Sequence, residues 1–360
     1  MSVCPPWSTL PAALEGTFMK PRLLFRCLPF FLAATVPAVQ PPAPGGTPAN
    51  AAAQPTITIR AAIDYEPPSV LTEAFEAGDA SALEGLLRDG ADVNAKLPDG
   101  DPPIVSAVRR NRPDLLQICL DYCANPSAGG KEGQGALTTA IFLNRLDLAE
   151  TMLRNGVPAD TPLNSPASAD FRAAFSDEPF RGVLRFDVGV TPLMMTAATG
   201  NEDAARLLIR HQGNPDRRSR RYRTDAVSIA CQAGQMRMAQ ILLGRDPEAA
   251  NQKVVVNLRK QRAVVYRGDQ VVLSSQCSTG RKGFSTPPGR YVVTSKHETW
   301  ISTLYKVPMP WLMRLNGSEI GMHQGVVPGY PASHGCVRLP SGAAQRFFQS
   351  VKVGDLVFIE

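Results

Sequence analysis

Apolar positions in the middle of the chain recur with the spacing of short helices, and the whole pattern repeats. Segments that begin at Leu71, Ile104 and Leu137 each contain an apolar helix, a polar turn and a second helix with apolar residues at i, i+3 and i+4. Two similar segments follow. Equivalent turn residues stand 33, 33, 56 and 34 residues apart, at Gly78, Asn111, Asn144, Gly200 and Gly234. One helical pair cannot bury its apolar face alone, so the pattern predicts a stacked, all-α array of about five pairs over residues 69–250.

Two stretches interrupt this period. The 56-residue step contains Pro, Phe and Asp without clear periodicity, and we expect a surface loop there. The stretch "DRRSRRYRT", residues 216–224, falls between the last two segments. It is either a contact for an anionic partner or a solvated charged loop, and charge runs more commonly have the second role.

From about Asn251 the pattern changes to alternation. "KVVVNL", "AVVYRGDQVVLSS", "RYVVTS" and "DLVFIE" are Val-rich runs typical of strands, and Gly268-Asp269 predicts a tight hairpin turn. The stretch 341–351 predicts a helix, with Ser341 as a candidate N-cap. Residues 251–360 therefore form a predicted, mostly β domain that follows the helical array.

The N-terminal stretch has the order of a secretory signal. Lys20, Arg22 and Arg26 precede the apolar run "CLPFFLAATVPAV", whose 13 residues are too few to span a bilayer. Residues 1–39 are thus predicted to be a signal peptide or a retained N-terminal anchor, with Met19 as a candidate start. Residues 40–68 are a Pro/Ala-rich linker. This organisation predicts an exported protein, with membrane attachment only if the N-terminal segment is retained.

Composition narrows the function only slightly. The chain is 44% hydrophobic and 19% charged, as in ordinary globular proteins, and its formal net charge of +6 would suit an anionic partner. No RNA-binding or zinc-finger motif accompanies that charge, so nucleic acid is not the predicted partner.

The cysteine count points to one thiol. The chain has seven cysteines, and five of them follow the predicted signal, at Cys119, Cys123, Cys231, Cys277 and Cys336. An odd number outside a reducing compartment leaves at least one thiol unpaired, and Cys336 is our candidate. Whether Cys119 and Cys123 form a disulfide stays open.

Cys336 lies in "HQGVVPGYPASHGCVRL", residues 323–339, among two of the four histidines of the chain. A nucleophilic cysteine needs a histidine within hydrogen-bond reach and a group that orients that histidine. His323 can return to the side of Cys336 across a Gly/Pro-rich loop, so it is the predicted general base. His334 lies two residues from Cys336, and we expect the two side chains to point to opposite faces of an extended segment.

Backbone groups complete the predicted site. The carbonyl of Gln324 is expected to hold the His323 ring, in the role of a third catalytic residue. The N–H groups of Gly335 and Cys336 are expected to face a developing oxyanion. A zinc site built from histidines and Cys336 is disfavoured, because H-x10-H-x-C matches no compact zinc-finger spacing. We expect no metal and no cofactor.

Two resemblances add to this interpretation. The text "TPL…AA..G…A..LL…G" and the 33-residue period resemble ankyrin repeats. The blocks "STGRKGFSTPPGRY", "MPWLMRL" and "MHQGVVPGYPASHGCVRLP" resemble, in order, the L,D-transpeptidase catalytic domain, also called the YkuD family. The second resemblance implies a β-sandwich-like fold with Cys336 as nucleophile and His323 as general base. The residue after the base is often Gly or Ser in that family, but Gln324 here.

The same resemblance suggests the substrate contacts. Arg338 matches the position that faces a substrate carboxylate, and His334 and Gly335 match the residues that complete the site. The full set of candidate substrate-binding residues is His334, Arg338, Ser333, Tyr305 and Trp311.

The implied reaction is peptidoglycan cross-linking in the periplasm or cell envelope of a bacterium. Cys336 would attack the amide after the third residue of a stem tetrapeptide and release D-Ala. An amine would then accept the acyl group, either from a second stem or from a protein lysine. Attack by water would instead give carboxypeptidase action, and cleavage of cross-links would give endopeptidase action. The alternative from another class is a wall-binding ankyrin scaffold without catalysis. The array is expected to recruit a protein partner or the substrate strand, or to pack on the catalytic domain as a lid.

Overall fold

The computed structural model describes residues 69–317 and 320–360. The predictions for residues 1–68, the signal peptide or anchor and the linker, lie outside these residues. Within the described ranges no helix is both long enough and apolar enough to cross a membrane.

Helices occupy the first part of the described chain and come mostly in pairs. The helices are α1 (Ser69–Ala77), α2 (Ala80–Arg88), α3 (Pro103–Arg109), α4 (Pro113–Asp121), α5 (Ala136–Phe142), α6 (Leu146–Arg154), α7 (Ala169–Ala173), α8 (Glu178–Phe186), α9 (Pro192–Thr199), α10 (Glu202–Arg210), α11 (Ala226–Gln232) and α12 (Met236–Leu242). Each is shorter than three turns, so packing rather than intrinsic helix propensity must hold these helices in place.

The five turn residues singled out by the repeat all adopt the same backbone conformation. Their φ angles are positive, between 53° and 75°, at Gly78, Asn111, Asn144, Gly200 and Gly234. The left-handed region favours Gly and Asn, which explains why only these two residue types occur at the turn between the helices of a pair.

Contacts between turns continue across the long interval. The side-chain amide of Asn201 donates to the Asn144 side-chain oxygen at 2.8 Å, and the N–H of Asn214 donates to Asp160 at 3.0 Å. Helix α5 packs against α9, and α6 against α10. The third and fourth pairs therefore stack directly, although 56 residues separate their turns.

The prediction of a surface loop inside that interval is wrong. Residues there form α7 and α8, and their aromatic side chains pack on one another. Phe171, Phe175 and Phe180 are each at most 3% exposed, with ring centroids 5.2–5.6 Å apart for the successive pairs. The sequence pattern missed this small core because helices of five and nine residues are too short for apolar periodicity to stand out.

The last part of the chain is the expected mostly β domain. Its elements are β1 (Gln252–Asn257), β2 (Arg262–Arg267), β3 (Gln270–Gln276), β4 (Gly289–His297), β5 (Leu312–Leu315), β6 (Gly321–Gln324), β7 (Val337–Leu339), α13 (Ser341–Ser350) and β8 (Leu356–Ile359). The strands are ordered β3-β2-β1-β8-β4-β5-β6-β7. The N-terminal half of β4 pairs with β8 and its C-terminal half with β5, so this one strand joins two sheets.

The buried faces of these strands form one apolar core. Val254, Val256, Met322, Val337 and Phe347 are among its members, and each is at most 1% exposed. Helix α13 packs on β3, β6 and β7. The predicted hairpin turn at Gly268-Asp269 is confirmed. The predicted N-cap is one residue off, because Pro340 caps α13 and Ser341 begins it.

A buried carboxylate joins the helical part to the β domain. Asp355, just before β8, has a fully buried side chain that pairs with Arg245 at 2.9 Å. It also accepts from the Gln252 amide at 2.7 Å, and Gln240 of α12 donates to the Gly354 carbonyl at 2.9 Å. All of this carboxylate's partners are donors, so the junction is fixed by directional contacts.

Replacing Asp355 with Ala should therefore lower the free energy of unfolding by about 3 kcal/mol, because the partly buried Arg245 and Gln252 lose their acceptor. Urea denaturation followed by circular dichroism measures the change. Asp246→Asn is the matched control, since its 3.6 Å pair with Arg206 is exposed. We expect that control to stay within about 0.5 kcal/mol of the parent. An equal effect of both substitutions would contradict the structural role of Asp355.

Candidate active site

The register of two neighbouring parallel strands determines which side chains share a face. In the β6–β7 pair, Met322 lies opposite Val337 and His323 lies opposite Arg338. Met322 and Val337 are fully buried in the apolar core. Because side chains alternate along a strand, His323 and Arg338 project from the other face, towards a cavity. Cys336 comes immediately before β7.

The cavity brings most of the predicted site together. Its volume is about 380 Å³, and its lining includes His323, His334, Cys336, Arg338 and Tyr305. A volume of this size suits a few residues of an extended peptide or a small ligand. Among the described residues no group of three or more His, Cys, Asp and Glu could hold a metal ion.

The loop that carries Cys336 is anchored to the segment that follows β3. The N–H groups of Ala332 and Ser333 donate to the Thr279 carbonyl at 2.9 Å, and Ser278 exchanges two backbone hydrogen bonds with Arg338. The Thr286 hydroxyl donates to the Gly335 carbonyl at 2.8 Å. These contacts fix the loop on both sides of Cys336.

The segment that provides these anchors depends on one glycine. A Cβ at Gly280 would lie 1.9 Å from the Phe284 carbonyl oxygen, so no larger residue fits the tight return of the chain. The same segment contributes Arg281 and Phe284, whose contacts are described below. It belongs to the "STGRKGFSTPPGRY" block, from which no site residue was predicted.

The Ser333 hydroxyl occupies the inside of the Cys336 loop. It donates to the Cys336 carbonyl and accepts from the Gly335 N–H at 3.1 Å. Ser333 is 0% exposed, so it shapes the loop, and the expectation that it contacts substrate is wrong for this structure. The Gly335 N–H is likewise committed to Ser333, so it does not face an oxyanion here. Gly335 is needed for its φ of 113°, which other residues rarely adopt.

His323 is held in one tautomer. Its Nδ1 lies 2.7 Å from the backbone carbonyl oxygen of Gln324. Because a carbonyl only accepts, Nδ1 carries the proton and Nε2 keeps its lone pair. This is the contact that was expected of Gln324. The Gln324 side chain instead accepts from Ser341 at 3.2 Å, so its identity matters less than its carbonyl.

The surroundings of His323 favour the neutral ring. The residue is 7% exposed. Burial lowers the pKa of His323, and the positive charge of Arg338 lowers it further, while the hydrogen bond to Gln324 acts in the opposite direction. A neutral imidazole with a free lone pair is the state that can accept a proton from a thiol.

His334 was expected to face away from Cys336, and this is wrong. Both line the same cavity, as residues two apart in an extended segment should. Its Nε2 lies 2.8 Å from a guanidinium nitrogen of Arg281, and its ring packs against Phe284 and Tyr305, each at 4.7 Å between centroids. Since Arg only donates, Nε2 of His334 acts as an acceptor there. That nitrogen is therefore engaged by Arg281, whereas Nε2 of His323 keeps its lone pair.

Arg338 has the surroundings expected of a carboxylate-binding residue. Its aliphatic stem packs on Gly325, where an added Cβ would lie 2.9 Å from two of its carbons. None of the carboxylates that the structure describes forms an ion pair with it. A guanidinium beside the cavity without an internal partner can pair with an anionic group of a ligand.

One predicted groove residue lies elsewhere. Trp311 packs on Phe348 of α13, with centroids 5.4 Å apart, and it does not line the cavity. Trp300 does line it, and the Arg314 guanidinium lies 5.3 Å from the Trp300 ring centroid. Trp300 and Arg314 were not predicted. Trp300 sits in a loop without periodicity, and Arg314 looked like an ordinary outward residue of a strand.

The remaining thiols are buried. Cys119, Cys231 and Cys277 are at most 8% exposed, and burial raises the pKa of each to about 12. Cys119 forms no disulfide, so the open question of a Cys119–Cys123 bond is answered against it. Cys336, in contrast, is partly exposed at the cavity.

Comparison with known proteins identifies two parts of the chain. Residues 251–359 match the L,D-transpeptidase catalytic domain, and residues 188–220 match an ankyrin repeat. The helical region therefore contains an ankyrin repeat, and the β domain is of the L,D-transpeptidase type. The cavity, His323 and Cys336 all lie within the matched domain.

Similarity to individual proteins covers only part of each. The B-cell lymphoma 3 protein homolog of Mus musculus is 32% identical over 108 residues, which are 28% of this chain and 24% of that protein. Protein PhlB of Serratia liquefaciens is 32% identical over 143 residues, which are 35% of this chain and 60% of that protein. A solved L,D-transpeptidase of Mycobacterium smegmatis is 22% identical with a TM-score of 0.28, covering 31% of this chain and 59% of that one.

The electrostatics of His323 lead to a direct test. In histidine-labelled protein, NMR titration should give His323 a pKa below the ordinary value of 6.5. Arg338→Gln should raise that pKa, because it removes a positive charge that opposes protonation. Arg88→Gln, on α2, should leave it unchanged, and loss of one signal in His323→Gln assigns the peak. A pKa above 6.5, or a further decrease in Arg338→Gln, would refute this electrostatic description.

Proposed function

We propose that this protein is a peptidoglycan L,D-transpeptidase that uses Cys336 as its nucleophile and His323 as its general base. The observation that carries the proposal is the shared cavity, where Cys336 lies beside a buried histidine held as a neutral base by the Gln324 carbonyl. The match of residues 251–359 to the L,D-transpeptidase catalytic domain supports the reaction class.

In the first half-reaction, the Cys336 sulfur attacks the carbonyl carbon of the third residue of a stem tetrapeptide. Nε2 of His323 accepts the thiol proton and passes it to the departing nitrogen of D-Ala. The amide bond breaks, a thioester forms, and D-Ala leaves as a neutral amine that is then protonated by solvent. No metal or cofactor is required for these steps.

In the second half-reaction an amine attacks the thioester. His323 accepts the amine proton and returns it to the Cys336 sulfur as the C–S bond breaks. With the side-chain amine of a second stem as acceptor, the product is a 3–3 cross-link, and with a protein lysine the product is an anchored protein. Water as acceptor would give carboxypeptidase action, and attack on an existing cross-link would give endopeptidase action.

Arg338 is the proposed anchor for a carboxylate of the donor stem. The guanidinium lies on the same strand face as His323, and no described carboxylate neutralises it. Tyr305 and the ring of His334 form an aromatic wall of the cavity, which suits contact with the aliphatic part of the stem. The Gly335 N–H is engaged by Ser333, so it is not assigned to the oxyanion in this mechanism.

We further propose that all five helical pairs over residues 69–250 are ankyrin repeats, separate from the catalytic domain at 251–360. The common left-handed turn in each pair supports this assignment, as does the direct stacking of the third pair on the fourth. Export to the cell envelope, directed by residues 1–39, is part of the same proposal because the substrate lies outside the cytoplasm.

Mass spectrometry of products tests the catalytic assignment. Incubation with a soluble disaccharide tetrapeptide should release D-Ala and give 3–3 dimers. Cys336→Ala should abolish turnover, and His323→Gln should lower kcat/KM at least about 100-fold, the usual size of a general-base contribution. Cys277→Ala is the matched control, because that thiol is buried away from the cavity, and it should retain turnover once its fold is verified.

Other product patterns separate the alternatives. Release of D-Ala without dimers would identify a carboxypeptidase. Unchanged peptides that still bind the protein would favour a wall-binding scaffold. Full turnover by Cys336→Ala would remove the nucleophile assignment altogether.

A further inference from the structure

A rigid arginine loop lies beside the helical part of the chain. The loop, residues 216–224, contains five arginines and one aspartate. Arg220, Arg221 and Arg223 are exposed, and none of them forms an ion pair with a described carboxylate. Most other exposed arginines of the helical pairs have such partners, as in the pairs of Arg88 and Arg154.

A buried carboxylate fixes the shape of this loop. Asp187 is 1% exposed and accepts from the backbone N–H groups of Arg221 and Tyr222, each at 2.8 Å. Burial raises the pKa of Asp187, but these hydrogen bonds outweigh that effect and hold its pKa below the ordinary value. The backbone is thus pinned while the arginine side chains project outward, unlike in a solvated, mobile charge run.

Aromatic rings accompany the arginines. Phe186 and Tyr222 are 47% and 48% exposed. The Arg221 guanidinium lies 5.7 Å from the centroids of both rings, and that of Arg185 lies 4.8 Å from the centroid of Phe186. Arginine held near exposed rings provides both charge and a flat apolar surface, a combination that suits polymers with carboxylates and sugar faces.

The loop leads towards the candidate active site. A cleft of about 270 Å³ between the helical part and the β domain is lined by Asp216 and Arg218 of the loop and by Arg314 of β5. Arg314 also lines the active-site cavity. Asp225, at the same cleft, is engaged by Arg218 at 3.7 Å. Polar groups therefore continue from the loop, through the cleft, to the cavity.

We propose that this arginine track, defined as the 216–224 loop and the cleft that ends at Arg314, binds the peptidoglycan strand whose stem enters the active site. The inference rests on the proposed function. Stem carboxylates would pair with the loop arginines, and the mixed acidic and basic lining of the cleft suits a stem that carries both carboxylates and an amine. The helical array would then act as a substrate-binding surface for the polymer.

Co-sedimentation with purified sacculi tests the track. The triple variant Arg220→Gln, Arg221→Gln and Arg223→Gln should bind sacculi about tenfold more weakly at low salt, because three exposed positive charges are removed together. Added salt should reduce this difference, because it screens exposed charges. The control variant Arg88→Gln, Arg110→Gln and Arg154→Gln removes the same charge from the helical pairs and should bind like the parent.

Two further arms define the ligand. Sacculi whose carboxylates have been amidated should bind the parent as weakly as the triple variant binds untreated sacculi. Duplex DNA should bind the parent more weakly than sacculi do, and equal affinity would show a general polyanion surface and overturn the proposal. Equal binding of triple variant and parent to sacculi, or no binding by the parent, would also overturn it.

Turnover separates this proposal from the function on which it rests. The triple variant should process the soluble disaccharide tetrapeptide at the parental rate and act more slowly on sacculi. If the parent turns over the soluble substrate while both proteins act equally on sacculi, the track is refuted and the function stands. If the parent fails on the soluble substrate, the proposed function is refuted whatever the binding result.

Discussion

The parallel pairing of β6 and β7 is the constraint on which the candidate site depends. Placing His323 opposite Arg338 while Met322 and Val337 enter the core assigns every side chain of these strands to one of two faces. A slip of one residue would bury both polar side chains and expose two apolar ones. The same pairing supports the loop before β7, so the position of Cys336 follows from the packing of the core.

Buried polar groups then convert this arrangement into a defined site. The Gln324 carbonyl selects one tautomer of His323, and the Ser333 hydroxyl shapes the turn at Gly335. Asp187 and Asp355 act in the same way at larger scale, one fixing the arginine loop and the other joining the helical part to the β domain. Hydrogen bonds to buried acceptors depend on direction as well as distance, so they specify geometry more strongly than apolar contact does.

The residues of the site differ in how far local pattern could predict them. Cys336 and His323 stand in a Gly/Pro-rich stretch with few other chemical groups, so their selection needed only the requirements of a nucleophile and its base. Trp300 and Arg314 could not be selected, because their role arises when a loop and a strand distant in sequence border one cavity. Trp311 was selected for its residue type, yet it packs on Phe348. The Gly335 N–H was selected for its position, yet Ser333 occupies it.

By itself the sequence determined the succession of helical pairs and strands, the left-handed turns at Gly78 and its equivalents, and the choice of Cys336 with His323. These features are local, since periodicity and backbone conformation depend on near neighbours in the chain. The tertiary structure alone decided that residues between the third and fourth pairs form a phenylalanine core, that His334 shares the cavity with Cys336, and that Arg314 borders both cavity and cleft. Those outcomes depend on contacts between distant segments, which a single sequence pattern does not encode.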